Sequence, residues 1–135
     1  MFPPAGKYLP CVIDGDLLYV GGHGPIHGDT IIRGKVGADL TLDEAREAAR
    51  MTALSILATV NAELGSLDRV GRVLKVFGMV NCAAGFNQTP AVIDAASELL
   101  VDVFGDAGQH TRSAVGMAEL PFDIAVEIEM TLRLA

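Results

Sequence analysis

The final stretch of the chain sets the strongest constraint on its fold. Val126, Ile128, Met130 and Leu132 alternate with Glu127, Glu129, Thr131 and Arg133. Successive side chains of a strand point to opposite faces, so this run belongs to a sheet with one apolar and one polar side. The apolar side must be covered, and two segments can do so. In TLDEAREAARMTALSILATVNAELG, residues 41–65, Thr41 and Glu44 form a capping box, each side chain satisfying a free amide at a helix start. Ala45, Ala49, Ala53, Ile56, Leu57, Val60 and Leu64 then recur at helical steps as one apolar stripe, and Gly65 supplies the stop. In QTPAVIDAASELLVDVFGDAG, residues 88–108, Thr89 reads as the cap and Pro90 as the first helical residue, with Gly105 after the end. Its buried face would comprise Val92, Ile93, Ala96, Leu99, Leu100, Val103 and Phe104.

Between the helices, Arg72–Val80 is β-branched and apolar enough for a buried strand. PCVIDGDLLYVGG, residues 10–22, predicts a hairpin around Asp14-Gly15-Asp16; GHGPIHGD is a loop, and Thr30–Ile32 begins a further strand. The expected fold is therefore α+β, one domain over residues 1–135, with two helices packed on one face of a mixed sheet. The other face stays bare unless partner chains cover it. Half the residues are apolar and mean hydropathy is +0.39, so a homo-oligomer is expected.

A net charge of −7 opposes attraction to phosphate backbones and anionic membranes, so neither nucleic acid nor membrane is an expected partner. No uncharged apolar run reaches the roughly 18 residues of a membrane span, and MFPPAGKYLP lacks the basic and apolar regions of a secretory leader. Cys11 and Cys82 show no C-x-x-C spacing, which fits reduced thiols and a cytoplasmic setting.

The chemistry concentrates in RSAVGMAELPFDIAVEIEM, residues 112–130. A tight turn at Pro121-Phe122 would pair two antiparallel strands, setting Gly116 opposite Glu127 and Arg112 opposite Thr131. Val115 and Met117 would then join the helix-covered face. Arg112 and Glu127 would share the other, roughly 13 Å apart, with Ala114 and Gly116 leaving room between them for a small carboxylate. The same two residues could equally form an ion pair or stay solvated.

His23 and His27 lie in a Gly/Pro loop without a third ligand, so no metal site is expected, and Gly21-Gly22-His23-Gly24 lacks the Gly-Lys-Ser/Thr ending of a phosphate loop. Cys82 reads as a small buried hydrophobe. His110 reads as a strand-end polar group or a pocket-entrance residue. Phe86 could be a staple within the chain or could reach a neighbouring subunit's pocket.

RSAVGMAELPFDIAVEIE also resembles the C-terminal signature of the Rid family, the reactive-intermediate (enamine/imine) deaminases, also called YjgF-type or L-PSP endoribonuclease proteins. GKY and LLYVGGHGP are similar to further family motifs, so the likeness spans nearly the whole chain. It implies a chorismate-mutase-like fold and a homotrimer with pockets between subunits. The implied reaction is hydrolysis of 2-imino or 2-enamino acids to 2-keto acids and ammonia, without metal or organic cofactor. Arg112 would bind the substrate carboxylate and Glu127 would handle protons and water. Tyr8, Gly22, His23, Ser97 and Ala114 fall at substrate-contact positions. The chain departs from the family archetype at Gly21 (serine), near Ser97 (asparagine) and at Ala114 (cysteine). A non-catalytic carboxylate-binding trimer and an RNA-cleaving or translation-inhibiting protein are the alternative functions; a chorismate-mutase-like rearrangement rests on fold analogy alone.

Overall fold

The computed structural model describes residues 4 and 6–135. The remaining positions of the opening stretch, on which the expectation about a leader falls, lie outside the described residues. β1 (Cys11–Asp14) and β2 (Leu17–His23) form the expected hairpin, with Gly15 in the left-handed region at φ 65°. β3 (Ile26–His27) and β4 (Thr30–Ile31) make a small separate hairpin. Next come α1 (Leu42–Leu64), β5 (Val70–Asn81), α2 (Thr89–Phe104), β6 (Thr111–Met117) and β7 (Val126–Leu134). The main sheet runs β1-β2-β7-β5-β6.

α1 has the capping box read from the sequence: Thr41 Oγ1 accepts from the Glu44 amide, and the Thr41 amide donates to the Glu44 carboxylate. Gly65 ends the helix at φ 82°. All seven residues of the expected stripe are buried. α2 begins one residue earlier than expected. Thr89 is inside the helix rather than its cap, because its hydroxyl donates across to Ala114 O on β6 at 3.0 Å; Gln88 occupies the cap position without a side-chain bond. Val103 is 43% exposed rather than buried, since the stripe runs on past the stretch that the core covers. Phe86 packs against the chain's own core, beside Gly37.

The last two strands overturn the expected pairing. β6 does not pair with β7. It lies parallel to β5 at the sheet edge, while β7 lies between β2 and β5, antiparallel to both. The twelve-residue β5 hydrogen-bonds on both sides, so the connection from β6 to β7 steps over it. The parallel register puts Arg112, Ala114 and Gly116 beside Val76, Gly78 and Val80. Val76 and Val80 are fully buried under the helices, so Arg112, Ala114 and Gly116 face α2. Val115, expected in the core, is 38% exposed on the opposite face. In β7 the alternation holds as read: Val126, Ile128, Met130 and Leu132 are buried, and Glu127 projects from the bare face.

Candidate functional site

β2 carries a bulge that builds the site. Val20 pairs with Met130, but His23 pairs with Ile128, so β2 uses one residue more than β7 over this step. The Gly21-Gly22 pair absorbs it. An extra residue reverses the faces beyond it. His23, which unbroken alternation would send to the bare face, turns toward α1 and is 8% exposed. Its Nδ1–H donates to Gly21 O at 2.7 Å, which leaves Nε2 to accept from the Thr59 hydroxyl at 2.8 Å. Burial pulls its pKa below the ordinary imidazole value, which favours the neutral ring.

The same bulge brings the Gly22 backbone against Glu127. A Cβ at Gly22 would overlap Oε2 of Glu127 and lie 3.0 Å from its Cδ. No other residue type leaves this space. Glu127 borders a cavity of about 500 Å³, whose walls include Tyr8, Pro10, Gly21, Gly22, Ile26, Ile31, Pro121, Phe122 and Ile124. Burial raises its pKa above the ordinary carboxylate value, with repulsion from Glu129 adding to the shift. A carboxyl group in this state can both take up and release a proton nearer neutrality.

The cavity mouth is framed by a strained turn. Phe122 and Asp123 both have φ 58°, a conformation costing non-glycine residues about 1–3 kcal/mol each. Buried Asn81 holds the turn by donating to Asp123 Oδ1 at 2.9 Å and Ile124 O at 3.1 Å, while its own Oδ1 accepts from Lys35. The Gly34 amide donates to Asp123 O at 2.8 Å, and Arg33 Nε donates to Phe122 O at 3.1 Å. Arg33 also borders the cavity. Nothing in its local sequence marks it; only the turn's return across the sheet places it there.

Arg112 is elsewhere. It and Glu127 lie on opposite faces of the sheet, two strands apart, which corrects the expectation that one chain sets them in one pocket. Its Nη1 donates to Asp94 Oδ1 at 2.8 Å and to Ser97 Oγ at 3.1 Å, both on α2. Among the described residues, its Nε and Nη2 make no further bond. Ser97 accompanies Arg112, and Ala114 packs against the core, so neither reaches the Glu127 cavity. Tyr8, Gly22 and His23 do border it, His23 with its ring nitrogens already committed. Both cysteines are free, and burial raises the Cys82 thiol pKa, as suits a packing residue. Among the described residues, no cluster of three His, Cys, Asp or Glu side chains fit for a metal occurs, and no helix is long and apolar enough to cross a membrane.

A mixed five-stranded sheet of this order with two helices on one face, and a cavity at the β2 bulge, defines an α+β protein. The family model described as "YjgF/chorismate mutase-like, putative endoribonuclease" matches residues 3–129, and the chain belongs to that family. The Trypanosoma cruzi "Protein TCP17" is 41% identical over 133 residues, covering 97% of this chain and 83% of that protein. Atu1372 of Agrobacterium tumefaciens, of unknown function, is 42% identical with a TM-score of 0.94, over 98% of this chain and 85% of its own. A "putative endoribonuclease" from Shewanella oneidensis is 28% identical with a TM-score of 0.95, over 98% and 89% respectively.

Proposed function

We propose that the chain hydrolyses reactive 2-imino or 2-enamino acids to 2-keto acids and ammonia, in sites formed between copies of a homotrimer. Glu127 of one copy and Arg112 of a neighbour are the two halves. The observation that carries this reading is the state of Arg112. Asp94 and Ser97 hold Nη1 of this edge-strand residue, and among the described residues the Nε–Nη2 edge, two parallel donors, makes no bond. That edge matches a carboxylate bidentately, which a lysine cannot do. The uncovered sheet face carries Val12, Tyr19 and Val115 exposed, an apolar surface suited to further copies.

The chemistry follows from these groups. The guanidinium fixes the substrate carboxylate and so the C=N carbon beside it. Water attacks that carbon while Glu127 takes its proton. Glu127 returns that proton to nitrogen to give the carbinolamine. It then carries the hydroxyl proton to nitrogen in the same way, so that the C–N bond breaks as the C=O bond forms and ammonia leaves the keto acid behind. The raised pKa of Glu127 favours this double duty.

Arg112→Lys is the direct test. Turnover of imino acid generated in situ should fall at least ~100-fold in a correctly assembled protein; unchanged turnover would remove Arg112 from the site. A second reading has its own observation: Arg33 borders the Glu127 cavity within one chain, and could hold the anion without a neighbour. Arg33→Gln distinguishes them, since it should leave turnover largely intact if Arg112 holds the carboxylate. The family's endoribonuclease description supplies a rival activity, which the net charge of −7 disfavours. Salt-sensitive RNA cleavage by a nuclease-free preparation, lost on Arg112→Lys, would support that rival instead.

A further inference from the structure

Arg112 ends a relay of hydrogen bonds whose directions follow for a neutral His110 ring. His110 Nδ1 lies 2.6 Å from Gly108 O, and a carbonyl can only accept, so Nδ1 carries the proton. In the neutral ring Nε2 is then an acceptor, and Ser97 Oγ lies 2.9 Å from it. A guanidinium can only donate, so Ser97 accepts from Arg112 Nη1 at 3.1 Å and gives its own proton to His110. Asp94, one helical turn before Ser97 on the same face of α2, takes Nη1 from the other side at 2.8 Å. Arg112 is also the less exposed partner of that ion pair, at 21% against 49% for Asp94.

A serine hydroxyl alone would rotate freely. With His110 fixing its proton, its lone pair is aimed at Nη1, and the backbone carbonyl of Gly108 in turn fixes the imidazole. Nη1 is thus consumed by the protein, and the Nε–Nη2 edge is set in one orientation.

We infer that Ser97 and His110 are positioning residues that orient Arg112 for carboxylate capture, and that neither contacts the substrate. This rests on the carboxylate role given to Arg112 above. It also explains how serine can stand at a position where a substrate contact was expected: its polar atom serves the arginine.

The test is calorimetric binding of pyruvate and of its uncharged amide to the assembled protein. Ser97→Ala and His110→Ala should each weaken pyruvate about 10-fold, with little change for the amide, because only the oriented fork is lost. Ser97→Thr, which keeps the hydroxyl, should restore affinity to within about 2-fold of wild type. In an Arg112→Lys background, Ser97→Ala should add almost nothing. Wild-type pyruvate affinity in both alanine variants, with Arg112→Lys still defective, would overturn the positioning role and leave the carboxylate role standing. Equal loss of pyruvate and amide would also overturn it, as general damage to the fold. If Arg112→Lys binds pyruvate normally, or the wild type does not bind it, the carboxylate role fails and the positioning role with it.

Discussion

Gly22→Ala should disable the site without disturbing the core. Gly22 sits in the β2 bulge, and its added methyl would overlap Oε2 of Glu127 while lying 3.0 Å from Cδ and 3.3 Å from Cγ. Ordinary contact begins near 3.4 Å. The carboxylate end must therefore swing aside by on the order of 1 Å, a displacement able to cost a catalytic group about 100-fold in rate. That corresponds to about 2.7 kcal/mol of lost transition-state stabilisation. Folding should suffer little, because the clashing atoms are the far end of a half-buried, flexible side chain rather than backbone. The assay is the rate of keto-acid release from imino acid generated in situ, beside a denaturation midpoint for each variant. A double-mutant cycle sharpens it: in a Glu127→Gln background, Gly22→Ala should have almost no further effect. Full turnover in Gly22→Ala would refute the placement of Glu127 at the reacting atoms. A loss of equal size in both backgrounds would mean the bulge acts by another route.

Glu127→Gln should also alter the pH dependence of stability. A folded-state pKa raised by burial means the folded chain binds this proton more tightly than the unfolded chain does. The wild type therefore keeps its full stability below the ordinary value of 4.5 and loses part of it as pH rises through the raised value. The variant, uncharged throughout, should match wild type near pH 4 by Tm and exceed it toward neutrality; identical Tm profiles would contradict the burial effect. Gly78→Ala should destabilise by about 1–3 kcal/mol in urea, because its methyl would meet Cγ1, Cδ1 and Cγ2 of fully buried Ile93 at 2.6, 2.7 and 2.8 Å. Ile93→Val should relieve part of that cost, and a neutral Gly78→Ala would show that α2 can shift off the sheet.

The elements were legible where their signals are local. The α1 capping box, its alanine-rich stripe, the Gly15 hairpin and the alternation of β7 all depend on residues within a few positions of one another. The pairing of β6 was not legible, because alternation assigns faces relative to a neighbour that the sequence does not name. A hairpin was the shortest route for the chain, but β5 offers two bonded edges and takes both strands. That one difference moved Arg112 to the other face and brought it to Asp94 and Ser97. His23 was read as part of a loop but ends β2, where one inserted residue turns it toward α1; the Gly21-Gly22 pair was the available signal. Arg33 and Asp94 carry no local mark, since only tertiary return of the turn and of β6 gives them neighbours.

Co-expression of two inactive variants tests most directly whether active sites are shared between copies. Arg112→Ala lacks one half of each site and Glu127→Gln the other. In a trimer assembled at random from equal amounts, about one quarter of the sites receive an intact Arg112 from one chain and an intact Glu127 from the next. Recovery of about one quarter of wild-type turnover is the result expected. A mixture as inactive as its parents, although its chains demonstrably co-assemble, would contradict a site built across the boundary between copies.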